Sequence, residues 1–132
     1  MFVFKTSGAT FDSVITNQKH AFNSKPLEWD PGEIILVSKN KNDCQQFEKQ
    51  IQYSMRLVNI RSTSFQEIEK FWPGNGSRWR YIVDCSSTKL IPVPFNLEDI
   101  LGDEAQVYKS IMTFRKVDPE DEKLILPLLN RV

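Results

Sequence analysis

The sequence predicts an α+β domain: a small mixed, curved sheet or open β-barrel of five to six strands, flanked by helices. Two patterns lead there. Short runs rich in β-branched and aromatic residues are interleaved with helix-like runs, and the last third of the chain reads as helical. A third observation sets the scale. With 132 residues and 15.4 kDa, and no internal repeat or low-complexity tract, residues 1–132 read as one domain.

The elements follow in order. Phe2-Val3-Phe4-Lys5 reads as an opening strand, closed by Ser7-Gly8. Thr10 to Ile15 begins a short helix with Phe11, Val14 and Ile15 on one face. Asn23-Ser24-Lys25-Pro26 and Asp30-Pro31-Gly32 are breakers, so residues 23–32 form a loop. Glu33 to Ser38 is an almost continuous apolar strand, expected to be buried on both faces. A polar loop runs from Lys39 to Asp43. Ile51 to Ile60 alternates, with Ile51, Tyr53, Met55 and Leu57 facing inward. Ser62, Thr63 or Ser64 can cap a helix carrying Phe65, Ile68 and Phe71.

Residues 72–77, Trp-Pro-Gly-Asn-Gly-Ser, form a loop, and residues 80–85 and 90–95 read as two strands. Pro92 and Pro94 place the second at a sheet edge or barrel rim. Asn96 caps a helix over Leu97 to Leu101, and Ala105 to Phe114 reads as helix with apolar positions 107, 108, 111, 112 and 114. Asp118-Pro119 followed by Glu120-Asp121-Glu122 is a helix start, with acids at the positive end of the dipole. Leu124, Ile125, Leu128 and Leu129 make its packing stripe, and Pro127 predicts an early stop.

Composition excludes several function classes. The net charge is zero, from 17 basic and 17 acidic side chains, so bulk attraction to phosphate is not the binding mode. The charge is uneven, with 12 basic against 9 acidic residues over 1–97 and 5 against 8 over 98–132. An anion is therefore expected to meet the first three quarters of the chain. No apolar run approaches the ~18–20 residues that span a bilayer. Met1 to Thr6 has no basic leader before a long apolar segment, so no signal peptide is expected. Cys44 and Cys85 read as reduced thiols, and the location as cytoplasmic.

Catalytic chemistry is thin. His20 is the sole histidine, and no Gly-x-Ser-x-Gly elbow accompanies it. Two distant cysteines and one histidine make no zinc spacing. Pro73-Gly74-Asn75-Gly76 lacks the Gly-Lys-Ser/Thr of a phosphate loop. No cofactor, metal or catalytic residue is assigned, and the expected protein is not an enzyme.

The order of segments carries a resemblance. Phe2 to Ser7 leads through a helix to Lys19-His20-Ala21-Phe22-Asn23-Ser24-Lys25-Pro26. Asp30-Pro31-Gly32 then opens the apolar strand Glu33 to Val37. Near the end, Tyr108 to Phe114 precedes Arg115-Lys116-Val117-Asp118-Pro119. Over nearly its whole length the chain resembles the EVE domains and, more distantly, the YTH domains, both of the PUA-like superfamily. The resemblance implies binding of nucleic acid, DNA before RNA. One modified base, N6-methyladenine or a modified cytosine, would be held in an aromatic pocket after flipping out of the duplex. It also implies a restriction system with a separate nuclease or NTPase effector.

Residue roles follow from the same resemblance. Phe22 stands where these families usually carry a pocket tryptophan. Asn23 and Ser24 come next, where polar groups could read a base edge. Trp72 resembles the second cage aromatic, with Trp79 as its competitor. Lys5, Thr6 and Ser7 match the strand end bordering the pocket in the YTH relatives. The candidate phosphate ligands are Lys19, Lys25, Lys39, Lys41, Arg78 and Arg80.

Every one of these residues also has a plain structural reading. Phe22 and Trp79 suit a core, Asn23 and Ser24 a turn before Pro26, and the cations a solvated surface. Alternatives to a modified-base reader are an RNA-binding PUA-like domain without that specificity and a protein-interaction module. The latter would use the edge near Pro92 and Pro94 or the acidic helix start. A hydrolase depending on His20 is the remaining rival.

Overall fold

The computed structural model describes residues 1–45, 48–108 and 114–130. Strand β1 (Phe2–Thr6) is followed by helix α1 (Gly8–Asn17), β2 (Lys19–Phe22) and β3 (Ile34–Lys39). Then come β4 (Ile51–Ser62), α2 (Phe65–Phe71), β5 (Tyr81–Phe95) and α3 (Leu97–Leu101). A 3-10 segment (Gly102–Tyr108), β6 (Phe114–Lys116) and α4 (Pro119–Ile125) complete the order, with a last 3-10 turn over Leu126–Leu128. The strands form one mixed six-stranded sheet in the order β2-β5-β4-β3-β1-β6. Only β1 and β3 run parallel; the other described pairs are antiparallel. The α+β class read from the sequence is the class observed.

The two-residue period of β1 and β3 divides the core. Val3 pairs with Leu36, and both enter a cluster with Tyr108, Ile125 and the other apolar residues of the C-terminal helices. Phe2 and Phe4 pair with Ile35 and Val37 and point the other way, toward Phe11, Val14 and Phe22. All six strand residues are fully buried, so β1 and β3 are covered on both faces. Each such side chain contributes ~1.5–3 kcal/mol on burial, which makes these central strands the anchor of the sheet. A third cluster, Ala21, Ile68, Trp72, Trp79 and Ile82, lies beneath α2. Among the described residues, no helix is long and apolar enough to cross a membrane.

Three expectations are corrected. Residues 80–85 and 90–95 are not separate strands but parts of the continuous β5. Ser87 takes a left-handed φ of 54° near its middle, and the polar run Ser86-Ser87-Thr88 at that kink reads as a break. Lys19 to Phe22, taken only as part of a motif, is a strand paired with Tyr81 to Asp84. Ala105 to Phe114 is not one helix: a 3-10 segment ends at Tyr108 and Phe114 starts β6. The expected packing positions Ile111 and Met112 lie outside the described residues. Pro127 does end α4, at Ile125, and Pro92 and Pro94 lie where β5 has β4 as its one described strand neighbour.

Candidate functional site

The site arises because the sheet curls. Three strands separate β2 from β1 in the sheet order, yet Phe4 and Phe22 bring their ring centres within 5.1 Å. Between the two strand ends lies a cavity of about 70 Å³. The end of β1 and the first turn of α1 supply Lys5, Thr6, Ser7 and Thr10. Strand β2 supplies His20, Ala21 and Phe22, and Asn40 enters just after β3. Arg78 and Trp79, immediately before β5, complete the wall.

His20 organises the floor. Its Nδ1 accepts a hydrogen bond from the Ala21 N–H at 2.9 Å. Only Nε2 is then left to donate, and the carbonyl of Lys5 is its partner. Rings of Phe4, Phe22, Trp72 and Trp79 surround it, with centroids 4.5 to 6.2 Å away. Burial pushes the His20 pKa down to about 4, with the Lys5 bond opposing and Arg78 adding to the shift. The imidazole is therefore neutral at pH 7, with both nitrogens engaged.

This makes a first prediction. The native state binds fewer protons than the unfolded chain between pH 6.5 and 4, so stability falls as pH drops through that window. The loss is on the order of 3 kcal/mol, complete below pH 4. Because His20 is the sole histidine, one imidazole resonance followed by NMR reports it directly. A midpoint near 6.5 would show that water reaches the ring.

The loop before Trp79 is held by charge and backbone. Glu69 accepts from the Gly74 and Gly76 N–H groups at 2.9 and 2.8 Å, and these bonds hold its carboxyl below the usual range. A Cβ on Gly76 would lie 2.6 Å from the Phe65 ring, so glycine permits this close approach. Asn75 Oδ1 accepts from Arg78 Nη1 at 3.2 Å. The Arg78 guanidinium lies 4.5 Å from the Trp79 ring centre. The exposed arginine thus rests on an indole at the cavity wall.

The structure brings Lys5, Thr6, Ser7, Phe22, Trp79 and Arg78 together. It does not bring Trp72 to the cavity. The Trp72 N–H bonds to the Ile68 carbonyl at 2.8 Å, prolonging α2 and turning the indole into the core at 3% exposure. Its Nε1 is buried without a partner, and nothing in the structure explains that. Phe22 contributes a wall but no free face, because Phe114 stacks on it at 5.1 Å and Phe4 and His20 pack around it. Asn23 and Ser24 are exposed beyond the end of β2 and do not line the cavity.

Two phosphate candidates are otherwise engaged. Lys19 bridges to Asp84 at 2.8 Å, inside a network where Asp84 and Glu67 also hold Arg61. Burial alone would raise the Asp84 pKa, but the bonds from Arg61 and Lys19 hold it below the ordinary range. Lys39 pairs with Glu48 at 3.3 Å and lies over the Phe11 ring. Lys25, Arg78 and Arg80 are exposed and close in sequence to the Phe22–Tyr81 pair, with Lys25 over the Tyr81 ring. Lys41 is exposed in the turn after β3. Sequence reading missed Thr10, His20 and Asn40. His20 could have been found, since it precedes Phe22 by two and so shares its strand face.

No protein-family model matches the chain, and no curated protein matches it. Solved structures do. ASCH from Zymomonas mobilis superposes with a TM-score of 0.66 at 11% identity, covering 99% of this chain and 96% of that one. A point mutant of the same protein gives 0.66 at 10% identity, covering 96% of both chains. The chain shares the α+β fold of these ASCH structures. The curled mixed sheet with flanking helices is the shared architecture. At such identity the match speaks to backbone arrangement alone, so the chemistry of this ASCH-like chain rests on its own residues.

Proposed function

We propose that this ASCH-like domain binds nucleic acid and reads a single base at the cavity between β1 and β2. A modified base is the target, N6-methyladenine or a modified cytosine, with DNA preferred. One observation carries the reading: an indole and an exposed guanidinium, Trp79 and Arg78, border a cavity lined further by Lys5, by Ala21 and by hydroxyl, amide and aromatic side chains. The role is that of a reader. His20, on which the hydrolase reading depends, has its one lone pair taken by the Ala21 N–H and its one proton donated to the Lys5 carbonyl.

Magnitudes define how such binding works. A cavity near 70 Å³ has room for about five waters, roughly the bulk of one base. A base that stacks on the Trp79 face takes the place the Arg78 guanidinium holds there. That exchange is favourable, because an exposed cation–π contact is worth ~0.5–1 kcal/mol and base stacking ~1–3 kcal/mol. Flipping from a duplex costs a few kcal/mol, so single strands bind more tightly than duplexes. One buried methyl adds ~0.8 kcal/mol, about fourfold.

The test is titration of labelled oligonucleotides with and without N6-methyladenine, 5-methylcytosine or 5-hydroxymethylcytosine. With two to three phosphates of a single strand neutralised by Lys25, Arg78 and Arg80, raising salt from about 50 to 200 mM should weaken binding roughly seven- to twentyfold. Arg78→Ala should lower affinity while costing no more than about 1 kcal/mol of stability, the worth of its exposed contact with Trp79. Absence of binding at low salt removes the function. The burial of Trp72, which leaves the cavity one ring fewer, favours a second reading: an RNA-binding domain indifferent to base modification. Equal affinity for modified and unmodified RNA would establish it.

A further inference from the structure

We propose that Thr6 orients the ligand, its hydroxyl donating to an acceptor, a ring nitrogen or exocyclic carbonyl, on the buried edge of a heteroaromatic base. The proposal rests on the base-reading function above and assigns the specificity-determining contact within it.

Thr6 is 2% exposed, and its Oγ1 is buried with no hydrogen-bond partner. Its main chain is not idle, since its carbonyl accepts from the Asn40 N–H at 2.8 Å. Strand alternation puts Thr6 on the face of β1 that carries Phe2 and Phe4, the side toward Phe22 and the cavity it lines. The neighbouring hydroxyls differ: Ser7 Oγ and Thr10 Oγ1 bond to each other at 3.0 Å. A buried, unpaired hydroxyl destabilises a fold, and valine would fill the same space in a strand without that penalty. A hydroxyl kept at such a place is explained by a partner that arrives with the ligand.

Charge selects the kind of partner. Among the described lining residues, Lys5 and Arg78 are cationic, His20 is neutral, and none is acidic. Asp43, in the turn after β3, lies outside the lining and accepts from the Gly8 N–H at 2.7 Å. An electron-rich edge is therefore favoured over an amino edge.

The experiment compares wild type, Thr6→Val and Thr6→Ser, using the labelled single-stranded oligonucleotides above and thermal unfolding of the free protein. Thr6→Val should lose affinity by about tenfold or more while melting at the same temperature as wild type or higher. Thr6→Ser, which keeps the hydroxyl, should restore most of the binding. Wild-type affinity in Thr6→Val overturns the proposal and leaves the base-reading function standing. A Thr6→Val protein that melts well below wild type also overturns it, because the hydroxyl would then serve the fold. If wild type binds none of the oligonucleotides, the base-reading function fails, and this contact with it.

Discussion

Phe4→Ala should cost about 3–5 kcal/mol of folding stability, the range for removing a fully buried phenyl ring. Phe4 is fully buried, and its ring meets Phe114 at 4.8 Å, Phe22 at 5.1 Å and His20 at 5.9 Å. Deleting it removes the support beneath the cavity floor as well as the transfer free energy. Urea unfolding measures the first effect. The second is read from the His20 resonance, whose midpoint should move from about 4 toward 6.5 as water reaches the imidazole. A loss under about 1 kcal/mol would mean that the surrounding rings close over the gap, contrary to the packing described.

Tyr108→Phe should be nearly as damaging, for an electrostatic reason. The Tyr108 hydroxyl donates to Asp121 Oδ2 at 2.6 Å and accepts from the Asp118 N–H at 3.0 Å. Burial, then the Asp121 carboxylate, pushes the phenol pKa up to about 12, so the proton stays on the tyrosine at any ordinary pH. Asp121 is only 4% exposed, and phenylalanine would leave its carboxylate buried without this donor. The expected loss is about 3 kcal/mol, measured by denaturant unfolding, with the cavity and its ligand affinity unchanged. A loss below about 1 kcal/mol would show that the carboxylate finds water instead.

The central sheet was legible because its residues obey one period. Glu33 to Ser38 reads as buried on both faces, and Ile35, Leu36 and Val37 are fully buried. The alternation from Ile51 is real, with Ile51, Met55 and Leu57 inside and Tyr53 half-buried. Lys19 to Phe22 escaped notice because four residues are too few to establish a period, and their pairing with Tyr81 to Asp84 is non-local. The site was half legible for the same reason. Lys5 to Ser7, Phe22, Arg78 and Trp79 come together, whereas Trp72 follows the helical geometry of α2 into the core. A tryptophan beside Pro-Gly-Asn-Gly reads as exposed, but the extra backbone bond that buries it leaves no mark in the sequence. Ion pairing of Lys19 and Lys39 with Asp84 and Glu48 depends on strand register, which composition does not encode.

The walls of the cavity come from four stretches of chain: residues 5–10, 20–22, 40 and 78–79. They meet only through the curled sheet, so the pocket has no counterpart in an unfolded or half-assembled polypeptide. Occupancy and native structure are thereby thermodynamically linked. A compound held there at a hundred times its Kd raises the unfolding free energy by ~2.7 kcal/mol. For a chain of this size that is a rise in melting temperature of roughly 10 °C. Screening nucleosides and oligonucleotides by melting curves would therefore reveal the natural occupant without any prior guess at its identity.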